Sequence, residues 1–104
     1  MRRLEVELSE QAIADLEAIF IFIFDRTRSA RVADGFVNRI EARCMKIGEV
    51  PHGGRSRDDL APGTRTVPFE RTALIAYRIE DERVVITNVF YRGRDAEAAF
   101  SDGD

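Results

Sequence analysis

Residue types that carry most enzyme chemistry are scarce in this chain. It has one cysteine (Cys44), one histidine (His52), one lysine (Lys46) and no tryptophan. A single cysteine excludes an internal disulfide and a thiolate metal cluster. His52 lies between Pro51 and Gly53 and reads as a loop residue, so no metal site and no cofactor are expected. There is no P-loop, no glycine-rich dinucleotide fingerprint and no His-Glu-x-x-His pattern. No apolar run reaches the roughly 18 residues that a membrane span needs. The opening Met1-Arg2-Arg3-Leu4-Glu5 lacks the apolar core of a signal peptide. With a solitary thiol, the expected compartment is the reducing cytoplasm. A net charge of -3 argues against nonspecific coating of nucleic acid.

What is abundant is arginine, at fifteen of the sixteen basic positions. Its planar guanidinium recognises carboxylate and phosphate through two parallel hydrogen bonds. Between His52 and Arg94 stand eight arginines and six acids, whereas the last ten residues hold four acids and no base. The strand-rich half is therefore mildly basic and the tail acidic. Length fits one domain, residues 1–104.

Leu4, Val6 and Leu8 alternate with charged residues, as in a short half-buried strand. Ser9 offers a helix N-cap. Residues 10 to about 26 form a helix with Ala12, Ile13, Leu16, Ile19, Phe20 and Ile23 on one stripe. Arg26 to Ser29 is a turn. A second helix, from about Ala30 to Ile47, carries Val32, Phe36, Val37, Ile40, Cys44 and Ile47. Strands are expected over residues 64–69, 72–79 and 84–91, rich in β-branched and aromatic residues. Pro68 cannot donate to a ladder, so its strand is an edge or carries a bulge. Glu80-Asp81-Glu82 makes the last tight turn, and residues 95–100 suit a final helical turn or two. The order predicts an α+β fold: an N-terminal strand, an antiparallel helical hairpin, then a three-stranded antiparallel run packed on the hairpin.

Three features are candidates for function. Residues 19–24 form an Ile-Phe run too long for one helical face. Two readings stand: Phe22 fills a second groove beside the hairpin and Ile21 alone is exposed, or Phe20, Ile21, Phe22 and Phe24 offer a partner surface. The loop Gly54-Arg55-Ser56-Arg57-Asp58-Asp59-Leu60-Ala61-Pro62-Gly63-Thr64-Arg65 is dense in guanidinium, part of it tied up by Asp58 and Asp59. At the end of the last strand, Tyr91, Arg92 and Arg94 are positioned to meet Arg65, Arg71 and Arg78 from neighbouring strands. Such a set suits an anionic peptide or a phosphodiester. In the second case Tyr91 or Glu70 would move a proton and the arginines would stabilise the phosphorane.

The chain resembles the ParE branch of the RelE/ParE toxins of bacterial type II toxin–antitoxin systems. The resemblance rests on Leu8-Ser9, Ala14-Asp15-Leu16-Glu17-Ala18-Ile19, Phe36, Ile40-Glu41, Pro51, the arginine loop, Ala76-Tyr77-Arg78-Ile79 and Val89-Phe90-Tyr91-Arg92-Gly93-Arg94-Asp95. It implies a toxin neutralised by a cognate, ParD-like antitoxin whose acidic amphipathic C-terminal segment covers the hairpin and sheet, giving a hetero-oligomer. Such an interface would use Phe20, Ile21, Phe22, Phe24, Arg57, Arg65, Arg71, Arg78, Tyr91, Arg92 and Arg94. The resemblance implies DNA gyrase as target, with no catalysis and no sequence-specific nucleic-acid binding. The alternative, a RelE-like ribosome-dependent and metal-independent mRNA endoribonuclease, would rely on Arg65, Arg78, Tyr91 and Arg94. Phe20 and Phe22 replace the Trp or Tyr common in the first helix of relatives, and Tyr91 stands where His is frequent.

Overall fold

The alternating N-terminal residues form β1 (Glu5–Leu8), in a computed structural model that describes residues 3–91. Ser9 stops the strand and starts α1 (Glu10–Thr27). Its hydroxyl accepts the Ala12 N–H at 3.0 Å, satisfying one of the donors that a helix start leaves free. Arg28 closes the helix in the left-handed region, φ 56°, with its N–H on the Phe24 carbonyl. Ser29 caps α2 (Ala30–Ile47) in the same manner as Ser9, accepting the Val32 N–H.

Next come β2 (Arg55–Ser56), β3 (Arg65–Phe69), β4 (Ala73–Glu80) and β5 (Arg83–Tyr91). The sheet order is β1-β5-β4-β3-β2. The three expected strands appear and pair antiparallel, each within a residue or so of its expected bounds. The sheet as a whole is mixed, because β1 lies parallel to β5, with Val6 opposite Val84 and Leu8 opposite Ile86. The two-residue β2 escaped sequence reading, since nothing in Arg55-Ser56 alternates; it forms because the loop returns antiparallel to β3. It covers only Arg65 and Thr66, so Pro68 does sit on an open stretch of edge.

The β4–β5 hairpin turns through Asp81 and Glu82, and the β3–β4 hairpin through Glu70, Arg71 and Thr72. Glu70 and Arg71 have φ of 46° and 59°, Asp81 and Glu82 of 50° and 60°. Two positive φ values are what the right-handed twist of paired strands asks for, and Asn-Gly usually supplies them. Here four ordinary residues do so, at a cost of about 1 kcal/mol or more each.

The core lies between the helices and one sheet face. Leu16, Ile19 and Ile23 of α1 and Phe36, Ile40 and Cys44 of α2 meet Val67, Ile75, Tyr77, Val84, Ile86 and Val89. Burying each such side chain stabilises the fold by about 1.5–3 kcal/mol. Cys44 behaves as a small core hydrophobe, as its place on the stripe implies, and burial pushes its thiol up to about 12.

One charged residue is built into this core. β1 ends at Leu8, opposite Ile86, so the Val89 N–H has no strand beside it. Asp15, only 8% exposed, accepts that N–H on Oδ2 at 2.8 Å, while Gln11 donates to Oδ1 at 2.8 Å. Asp15 thus substitutes for a missing strand and fixes α1 against β5. The same corner is tied by Ser9, whose N–H and hydroxyl donate to the carbonyls of Ile86 and Thr87. The β4–β5 register shifts between Ala76 and Tyr77, leaving Thr87 as the extra residue.

Candidate partner-binding site

The last strand delivers Tyr91 to one end of the sheet, between the two helices. Its ring meets Phe22 of α1 edge-on at 5.4 Å and Phe36 of α2 edge-on at 5.4 Å. Phe36 in turn meets Phe69 at 5.6 Å. Aromatic pairs prefer this T-shaped arrangement, which places the positive edge of one ring on the negative face of another. Phe22 therefore fills a groove on the β5 flank of the hairpin, as in the first of the two readings, and Ile21 stands 59% exposed. Phe20 and Phe24 stack on each other at 6.4 Å, both half-buried.

Guanidinium groups surround this aromatic end. Arg26 lies 4.5 Å over the Phe22 ring and Arg39 5.5 Å over Phe36. Arg39 also holds Glu70 through two parallel bonds, 2.9 and 3.1 Å, which joins α2 to the strained β3–β4 turn. The hydrogen bond from Arg39 holds the Glu70 carboxyl below the usual carboxylate range. An open groove of about 390 Å³ runs between the helices here, lined by Ile23, Arg31, Val32, Gly35, Phe36, Arg39 and Tyr91. Val32 leaves nearly half its surface in solvent. The arrangement is an apolar floor with cationic walls, suited to an amphipathic acidic segment.

The opposite end of the sheet is built differently. Tyr77 is fully buried, and its hydroxyl donates to the Pro51 carbonyl at 2.8 Å and accepts the Gly54 N–H at 3.0 Å. Arg65, paired across from Tyr77, donates through Nη1 to the carbonyls of His52 and Gly54. These bonds pin residues 51–54 to the sheet. Beyond them the arginine loop is closed on itself. Arg57 pairs with Asp59 through two bonds of 3.0 Å, Asp58 accepts the Gly63 N–H at 2.8 Å, and Leu60 is buried. Gly63 takes φ 81°, a left-handed value that favours glycine.

The sequence candidates thus fall into separate places. Tyr91 lies opposite Ala73, with Phe22 at its side and Arg71 in the adjacent turn. Arg65 lies opposite Tyr77, four residues further along β4, which is about 13 Å at the usual rise per strand residue. Arg78 points to the face of the sheet away from the helices, alternating with buried Tyr77, and pairs with Glu80 at 2.6 Å. Arg57 belongs to the closed loop. Arg92, Arg94 and the expected final helical turn lie outside the described residues. The set Arg65, Arg78 and Tyr91 is therefore not brought together, because alternation and register place its members on two faces and at two ends. Arg31, Val32, Gly35 and Arg39, which complete the groove, were not singled out in the sequence as site residues. The signal was the helix period, which puts Val32, Gly35, Phe36 and Arg39 along one flank of α2. Among the described residues no cluster of His, Cys, Asp and Glu suits a metal ion. No described helix is long and apolar enough to cross a membrane.

Comparison with known proteins agrees with this architecture. Residues 6–96 match the family model described as the ParE toxin of the type II toxin–antitoxin system parDE. Toxin ParE3 of Caulobacter vibrioides is 33% identical over 75 residues, covering 72% of this chain and 73% of that protein. Among solved structures, the chromosomal ParDE system of P. aeruginosa superposes with a TM-score of 0.74 at 22% identity, over 86% of this chain and 97% of the other. A chain of the toxin–antitoxin complex RelBE2 from Mycobacterium tuberculosis gives 0.59 at 24%, over 88% and 100%. The extent of the family match and the identity to ParE3 place the chain in the ParE toxin family of type II toxin–antitoxin systems.

Proposed function

We propose that this toxin is held by a cognate ParD-like antitoxin at the groove between α1, α2 and the end of β5, and that its target is DNA gyrase. The observation that carries the first part is the groove itself: Val32, Phe36 and Tyr91 form an apolar floor, and Arg31 and Arg39 flank it. An acidic amphipathic segment would bury apolar side chains there and set carboxylates against the guanidinium groups. The solved relatives are a ParDE system and a toxin–antitoxin complex, which supports an antitoxin partner. The family supports gyrase. The separation of Arg65 and Arg78 from Tyr91 supports a toxin that acts by binding, since phosphoryl transfer needs its acid, base and anion-stabilising groups around one atom.

Expression without antitoxin tests the target. The expected result is a DNA-damage response with trapped gyrase–DNA complexes. Cleaved mRNA in a translating extract, with gyrase unaffected, would overturn it. Tyr91→Phe keeps the ring contacts with Phe22 and Phe36 and removes the only hydroxyl at that position. Toxicity is expected to survive this change; its complete loss would favour the nuclease.

A further inference from the structure

A second groove lies at the opposite end of the molecule, with about 590 Å³ of open space between the last turn of α2, the pinned loop and the β3 edge. Its floor is apolar, formed by Ile47, Val67 and Pro68, with Val50 standing 60% exposed above it. Three cations border it, Arg43, Lys46 and Arg55, and none of them takes part in an ion pair among the described residues. The single acid in the lining, Glu49, faces Arg3 at 3.7 Å. In a chain of net charge -3 this is a local concentration of positive charge beside exposed apolar surface, with the charge of Arg55 also felt by Asp59.

We propose that this groove docks an extended, acidic segment of a protein partner, with one or two aliphatic side chains over Val50 and Pro68 and carboxylates on Arg43, Lys46 and Arg55. Charge complementarity selects the acid. The apolar floor selects a peptide over a nucleic-acid backbone, whose groups facing the cations are phosphates and sugars. The wall is rigid before any partner arrives, because Tyr77 and Arg65 hold residues 51–54 at four main-chain atoms. A preformed wall lowers the ordering cost of binding. The β3 edge is open past Thr66, but Pro68 lacks an N–H, which blocks a continuous ladder there. Recognition is therefore by side chains, and edge-to-edge pairing of two copies is disfavoured. This site is independent of the antitoxin groove, and neither reading requires the other.

The test is selection of a random twelve-residue peptide library, displayed on phage, against the intact chain. Counter-selection uses the double variant Arg43→Glu/Lys46→Glu, at a half-buried and an exposed position, with its fold checked by circular dichroism. The expected winners carry Asp or Glu flanking aliphatic residues and lose at least tenfold in affinity on the double variant and on Val50→Asp. Arg31→Glu, at the other groove, is expected to leave their affinity unchanged. Their binding should weaken as salt rises. Hydrogen-exchange protection of the unmodified chain should map to residues 43–55 and 66–68. No enrichment, enrichment of basic sequences, or protection confined to residues 23–39 would overturn the proposal. So would tighter binding of a twelve-nucleotide single strand at the same residues, or a concentration-dependent dimer abolished by Val50→Asp.

Discussion

The two ends of the sheet are held by different physics. At one end Tyr77, Arg65, Pro51 and Gly54 form a closed set of hydrogen bonds around a fully buried hydroxyl. At the other, Tyr91 is positioned by ring edges, and the turn beside it is held by an exposed ion pair, Arg39–Glu70, whose side chains are 55% and 43% accessible. Directional bonds in a buried setting fix one geometry and are costly to leave unmade. Ring contacts and a solvated pair tolerate adjustment at little cost. The pinned end is suited to presenting a fixed surface, and the aromatic end to accommodating an incoming chain.

This contrast is most easily broken at Gly54. A Cβ there would overlap the Tyr77 hydroxyl and approach Cε1 at 2.9 Å, and the buried ring has no room to retreat. Gly54→Ala is expected to destabilise the fold by about 2–4 kcal/mol, in the range of overpacked or network-breaking changes. Urea denaturation measures it; a loss below about 0.5 kcal/mol, within the range of ordinary surface changes, would show that the loop is not pinned.

Tyr77→Phe comes next. It leaves the Pro51 carbonyl and the Gly54 N–H without their partner, at about 1–3 kcal/mol. The same residue gives a pH signature. Burial raises the Tyr77 hydroxyl above its ordinary 10, outweighing the Gly54 hydrogen bond and the charge of Arg65. A pKa raised by folding means stability that is complete below the unfolded value and lost as pH rises through the folded one. Denaturation midpoints should therefore fall above about pH 10, and fall less in Tyr77→Phe. An equal alkaline loss in both proteins would assign the effect elsewhere.

Much of this division was legible in the sequence, in particular places. Ser9 marked the start of the first helix, and the apolar stripes named most of the core, although Ile13 and Val32 on those stripes stand 46% and 49% exposed. Of the two readings of the 19–24 run, a second groove for Phe22 with Ile21 exposed is the arrangement found. Of Asp58 and Asp59, both expected to tie up charge in the arginine loop, Asp59 does so by pairing with Arg57, whereas Asp58 takes the Gly63 N–H. What stayed hidden depends on long-range register. Parallel pairing of β1 with β5, the rescue of the Val89 N–H by Asp15 and the scattering of Arg65, Arg78 and Tyr91 all require knowing which strand lies beside which. Local composition does not carry that information. The tight turns also carry no glycine signal, because Glu70-Arg71 and Asp81-Glu82 adopt positive φ without it.

Those turns supply a smaller test at the adaptable end. Arg71→Gly relieves a left-handed residue at φ 59° and is expected to stabilise the fold by about 0.5–1 kcal/mol. Thermal denaturation decides; a lower melting temperature would mean that the Arg71 side chain contributes more than its backbone strain costs.

Val32→Glu tests most directly the proposal that the antitoxin binds in the groove between the helices and β5. Val32 is 49% exposed, so the fold is expected to survive, while a carboxylate is introduced on the apolar floor that an acidic segment must cover. Titration calorimetry against the antitoxin should show affinity reduced at least a hundredfold, with an unchanged melting temperature for the free toxin. Unchanged affinity would contradict the placement.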